Sequence, residues 1–177
     1  AIFTEPFCFF HIANSFEKDG RIILDLSTYD NANLLKDTFL RENLLNLTPD
    51  VNGGKFERLT IDIKQNKITK KTIFNEQFDF PSINHELDWA NPNYSYVYGA
   101  GKNIGNNFVD KLIKLNVKTG KYLSWSKAAH YPSEPVYVPN PNLSAHSSSK
   151  GVVLSIVLNT QLKTSFLLIL DSHSFKE

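Results

Sequence analysis

Phe56-Glu57-Arg58-Leu59-Thr60-Ile61-Asp62-Ile63 is followed by the polar turn Lys64-Gln65-Asn66-Lys67 and then by Ile68-Thr69-Lys70-Lys71-Thr72-Ile73-Phe74. Alternation of apolar and polar side chains has the period of a strand with one buried face, so this stretch predicts an antiparallel hairpin. The same grammar recurs downstream. Lys111-Leu112-Ile113-Lys114-Leu115-Asn116-Val117, the turn Lys118-Thr119-Gly120 and Lys121-Tyr122-Leu123-Ser124-Trp125 form a second hairpin signal, with Gly120 supplying the positive φ such a turn needs. Strands are also expected at 21–26, 94–98, 135–138, 151–158 and 165–170, the last two apolar enough to be buried on both faces. One helix is expected over 33–45, where Leu34, Leu35, Phe39 and Leu44 fall near one face and Asn31 or Asn33 offers a cap. The chain therefore reads as all-β with one short inserted helix. Hairpins joined by long loops suit a sandwich, a barrel or a propeller, and periodicity does not choose among them.

With 177 residues, 41% of them hydrophobic and 21% charged, the chain is long enough for one domain-sized core. Its 19 basic and 18 acidic side chains, net +1, form no electrostatic footprint for nucleic acid. Cys8 is the single cysteine, so no internal disulfide forms and a reducing compartment fits; Cys8-x-x-His11 lacks the second ligand pair a zinc site requires. The longest apolar runs, such as 152–158 and 166–170, are too short to cross a bilayer as helices. Ala1 opens the sequence, there is no methionine, and the last residues break off just after an apolar strand, which predicts an internal piece of a longer protein.

Taken alone, His11 in Phe9-Phe10-His11-Ile12-Ala13-Asn14 is a histidine beside an apolar strand and reads first as a satisfied core residue. Glu134 in Pro132-Ser133-Glu134-Pro135 reads locally as part of a turn leading into an edge strand. His85, His130, His146 and His173 sit in or beside loop-like stretches and are expected at the surface.

The order of motifs changes these readings. The series runs Phe10-His11-Ile12-Ala13-Asn14-Ser15-Phe16-Glu17, Leu40-Arg41-Glu42, Phe78-Asp79-Phe80-Pro81-Ser82-Ile83-Asn84 and Tyr96-Val97-Tyr98-Gly99. It continues through 112–120 to Tyr131-Pro132-Ser133-Glu134-Pro135 and Gly151-Val152-Val153-Leu154-Ser155. In this collinear order the whole chain resembles the carotenoid cleavage oxygenase family, in particular its animal branch of β-carotene oxygenases and the retinal-pigment-epithelium retinoid isomerohydrolase. The resemblance implies a seven-bladed β-propeller with ferrous iron on its axis, held by four histidines, under a dome that forms an apolar tunnel. Residues 1–177 would be a single partial domain of roughly three blades.

His11, at the family's Phe-His-x-x-Asn position, is then the third iron ligand in chain order, the other three lying outside these residues. Glu134 matches a glutamate that accepts a hydrogen bond from the remote nitrogen of a ligand histidine, fixing its tautomer. Phe10 and Tyr29 are candidates for the tunnel wall, because a rigid polyene is recognised by apolar shape. Four neutral imidazoles leave the iron's charge uncompensated and keep positions open for O2, which suits scission of a conjugated double bond of a carotenoid into two carbonyl products. The implied partners are a carotenoid or retinoid and O2, with no nucleic acid. The implied location is cytoplasmic, with peripheral membrane contact through parts outside this chain. A retinoid isomerohydrolase using the same iron and a metal-free retinoid-binding propeller are the alternatives. Ile12 stands where animal members commonly carry a second, non-ligand histidine. Tyr29 stands where the isomerohydrolase has a tryptophan, and 29–40 is shorter than there, which leans toward oxidative cleavage. The segment alone, with one ligand and open sheet edges, is expected to be inactive.

Overall fold

The computed structural model describes residues 1–33, 35, 36, 40–45, 54–103, 108–142 and 150–177. The described residues form three four-stranded antiparallel sheets. The first is a meander of β1 (Cys8–Lys18), β2 (Arg21–Tyr29), β3 (Lys55–Asp62) and β4 (Lys67–Phe74), in which the opening hairpin pairs Ile61 with Ile68 and Asp62 with Lys67. The second is a meander of β5 (Asp79–Ser82), β6 (Tyr96–Gly101), β7 (Lys111–Asn116) and β8 (Tyr122–Ser126). Between β7 and β8 the chain reverses through Gly120 at φ +72°, its amide donating to the Asn116 carbonyl.

The third sheet contains β9 (His130–Pro132), β10 (Val136–Pro139), β11 (Gly151–Asn159) and β12 (Thr164–Asp171). Both β9 and β10 pair with β11, at Pro132↔Val157 and Val136↔Leu154, so they form one strand line interrupted at Ser133-Glu134-Pro135. Ser133 seals the interruption: its amide donates to the Ile156 carbonyl and its Oγ accepts from the Ile156 amide. Three successive antiparallel sheets, two of them four-stranded meanders and the third with its first strand line split into β9 and β10, are the blades of a propeller, in agreement with the all-β expectation.

The middle sheet explains how the blades cohere. Side chains alternate across a strand, so β6 and β7 send Val97, Ile113 and Leu115 into a core shared with Phe16, Ile23, Phe56 and Phe74 of the first sheet. They send Tyr98 and Leu112 to the opposite side, against Val153, Val157, Leu168 and Leu170 of the third. On the side facing the first sheet Gly99 permits close packing, since a Cβ at this position would stand 2.3 Å from the Phe78 ring. A part-buried ion pair within the first sheet is tied across this interface: Arg58 of β3 donates to both oxygens of the buried Asp25 of β2 at 2.7 and 2.6 Å, and the Tyr94 hydroxyl donates to Asp25 from the second blade. Burial, and then that contact, push the Tyr94 phenol well above its ordinary range, while Asp25 raises the Arg58 guanidinium further.

Three expectations are corrected. The strands at 151–158 and 165–170 are buried on one face only: Ser155, Val157, Leu168 and Leu170 point inward, whereas Ile156, Leu158, Leu167 and Ile169 have no cover among the described residues. Apolarity alone records that a strand can be buried on two sides, not whether a neighbour is present. His130 is buried, not superficial, because its Nδ1 donates to the Ala128 carbonyl, its Nε2 accepts from Asn159, and its ring packs edge-on against Trp125 and Phe166. A second short helix, α2 (His85–Asp88), follows β5 and is capped by the Asn84 side chain, which accepts from the Glu86 amide. Of the helix expected over 33–45 only the last five residues form a described α-helix, α1 (Arg41–Leu45), while at the expected start Asn31 accepts from the Asn33 amide; Leu34 and residues 37–39 lie outside the described residues, as does His146. His85 and His173 are exposed as expected.

Candidate metal centre

His11 lies near the start of β1, where pairing with β2 is irregular. From Phe9 to Ile12 the strand spends three steps against two from Thr28 to Leu26, and from Ile12 to Asn14 two steps against one. Bulges of this kind re-aim side chains. Here the His11 ring reaches β5, with Nδ1 2.8 Å from Asp79 Oδ1 and the Phe80 ring centroid 5.2 Å away. Asp79 is buried and fully engaged: Oδ1 also accepts from the Phe80 amide at 2.8 Å, and Oδ2 accepts from the Tyr29 hydroxyl at 2.5 Å. A carboxylate on Nδ1 fixes the imidazole as the Nδ1–H tautomer and leaves the Nε2 lone pair for another partner. Nε2 makes no hydrogen bond to the described residues, and the His11 side chain is 40% exposed.

The same strand carries Asn14, wholly buried, whose side-chain amide donates to the Asp88 carbonyl at 2.7 Å and whose Oδ1 accepts from the Ala90 amide at 3.0 Å. The asparagine of the His11-x-x-Asn14 pattern thus clamps β1 to the end of α2. Inner strands run side by side across the three sheets, since β1 contacts β5 and the Tyr137 amide of β10 donates to Ser82 Oγ of β5 at 3.2 Å.

Phe10 is half-exposed and meets Tyr29 edge-to-face at 5.7 Å. Tyr29 is buried, its ring pressed against Gly54, where an added Cβ would stand 3.0 Å from Cζ. The structure therefore brings His11, Phe10 and Tyr29 together. Glu134 stands apart, exposed at the interruption between β9 and β10, with no hydrogen bond or ion pair to the described residues. The residue that sequence reasoning left without a role is Asp79. Its signal was a carboxylate between Phe78 and Phe80 at the head of an apolar strand, a setting in which a charge needs a partner. Among the described residues no three His, Cys, Asp or Glu side chains cluster as a metal site. The open hollows of about 720 Å³ beside Val138 and Asp171 and about 420 Å³ beside Tyr96 and Lys114 contain neither His11 nor Asp79. No helix of the described residues is long and apolar enough to cross a membrane.

Comparison with known proteins agrees with this architecture. The chain is 28% identical over 204 residues to the β,β-carotene 15,15'-dioxygenase of Gallus gallus, covering 99% of the chain and 38% of that protein. It is 29% identical over 215 residues to the mitochondrial carotenoid-cleaving dioxygenase of Mustela putorius furo, covering 99% and 39%. It is 26% identical over 185 residues to the carotenoid isomerooxygenase of Galleria mellonella, covering 98% and 36%. The chain thus spans 36–39% of the length of these curated relatives. Among solved structures it superposes on cobalt-substituted Synechocystis apocarotenoid oxygenase with a TM-score of 0.78 at 25% identity, and on a chimera of that protein with RPE65 with a TM-score of 0.81 at 26%. Each superposition covers 95% of the chain and 34% of the neighbour. The family model of the retinal pigment epithelial membrane protein, RPE65, matches residues 1–177, and the chain belongs to this family of carotenoid oxygenases.

Proposed function

We propose that the chain is part of a non-haem iron(II) dioxygenase that cleaves a conjugated double bond of a carotenoid, with His11 as one of the imidazole ligands. The observation that carries this reading is the His11 ring, backed by Asp79 on Nδ1 and left with its Nε2 lone pair unused. An imidazole held at Nδ1 with Nε2 left for a partner fits a ferrous ligand arm; the reading assigns the other ligands to residues beyond this chain. Relatives named as carotene and carotenoid-cleaving dioxygenases support the substrate class, and the cobalt-substituted neighbour supports a metal site in such a propeller.

When bound, the ferrous iron would supply the position at which O2 is activated beside the polyene. The chain's own residues hold and orient. Asp79 keeps the His11 proton on Nδ1 throughout, so no protein acid or base is consumed. Phe10, half-exposed over the Tyr29 ring, offers an apolar wall that fixes a rigid polyene by shape. Glu134 serves a second ligand histidine, since Asp79 already takes the Nδ1 of His11. A cytoplasmic location with peripheral membrane contact outside this chain belongs to the same proposal.

The test is aerobic incubation of the intact protein with β-carotene and chromatographic analysis of the products. Two carbonyl products are expected, falling at least about a hundredfold in His11→Ala. Isomerisation of a retinyl ester without O2 uptake would move the assignment to the isomerohydrolase. Retinoid binding with neither reaction and no iron would leave a binding propeller.

A further inference from the structure

Phe80 adopts φ +53°, a left-handed conformation that bulky side chains avoid, immediately after the carboxylate that holds His11. Such a conformation persists where its surroundings over-determine it. Here the Phe80 amide donates to Asp79 Oδ1, and the Phe80 ring lies 5.2 Å from that of His11. Asp79 Oδ1 therefore serves two donors on two strands at once, which requires the carboxylate plane to be set to within narrow limits. What sets it is the other oxygen. Asp79 Oδ2 lies 2.5 Å from the Tyr29 hydroxyl, and Tyr29 cannot drift, being packed under Gly54 and against Phe10.

We propose that Tyr29 is a positioning residue: through its hydroxyl it locks Asp79, and through Asp79 it holds His11 in the Nδ1–H tautomer with Nε2 presented for ligation. The chain of contacts is Tyr29 to Asp79 to His11, contributed by β2, β5 and β1. Removing the hydroxyl leaves a buried carboxylate oxygen short of a donor and free to turn, which loosens its hold on the imidazole. This role is separable from a tunnel wall, which needs the ring but not the hydroxyl. The consequence for iron rests on the function proposed above; the consequence for the His11 tautomer does not.

The test uses the intact protein labelled with 15N-histidine. In metal-free protein the His11 signals, identified by their loss in His11→Ala, should report an Nδ1-protonated ring. In Tyr29→Phe, which keeps the ring, the two nitrogen shifts should move toward the average of the two tautomers. Ferrous iron should leave for a competing chelator about tenfold faster, with KM for β-carotene within about twofold of wild type. Asp79→Asn should give the same signature more strongly. A wild-type tautomer in Tyr29→Phe overturns the proposal, whether KM rises or not. Were the wild-type protein to bind no iron, the functional reading would fall, and the tautomer shift would still decide the role of Tyr29.

Discussion

At the residue scale, the site is made by partners far apart in sequence. His11 was legible from Phe10-His11-x-x-Asn14, but its carboxylate lies 68 residues away, and nothing in local sequence pairs two such positions. Glu134 was legible as a carboxylate in a turn; the structure shows that turn to be an interruption held by Ser133, and shows the Nδ1 of His11 already taken. His130 was misread because its partners, the Ala128 carbonyl and Asn159, are neutral groups that leave no charge pattern. Asp88 tells a related story. It ends α2 almost wholly buried, its Oδ2 without a hydrogen-bond partner, and burial pushes its carboxyl up to about 6 against a weaker opposing pull from Lys118. A raised folded value means that the fold prefers the protonated form. Its contribution is therefore fully present below the ordinary value of 3.8 and is lost as pH rises through about 6. Asp88→Asn should accordingly stabilise the intact protein at pH 8, by up to about 3 kcal/mol, and have little effect at pH 4. Urea melts at the two pH values check this; a gain that does not grow with pH would refute it.

At the element scale, hairpins with a clear period of two and a polar turn were legible to within a residue or two, as β3 with β4 and β7 with β8 show. Pairing between blades was not, because β6 and β7 are buried on both faces and their partners are set by the order of the sheets. Leu112 illustrates the cost of that burial. It is fully enclosed between the second and third sheets, and Leu112→Ala should destabilise by about 2–5 kcal/mol, since the cavity cannot collapse against neighbouring strands on both sides. Chemical denaturation reads this directly, and a loss below about 1 kcal/mol would mean that the blades pack less rigidly than described.

At the scale of the whole molecule, three blades set their inner strands in a row, and the row carries His11, Asp79 and the interruption bearing Glu134. The all-β class followed from periodicity, but the propeller followed from the collinear motif series, because sandwich, barrel and propeller share the same strand grammar. What the blades add is geometry: a bulged β1 turns one imidazole toward the next blade, where a carboxylate fixes its tautomer. The central claim is that this imidazole ligates iron. X-ray absorption at the iron edge of the intact protein, loaded anaerobically with ferrous iron, tests it most directly. The account predicts a first shell dominated by imidazole nitrogen, with one nitrogen lost or the iron released in His11→Ala. A first shell without imidazole, or one unchanged in His11→Ala, would contradict it.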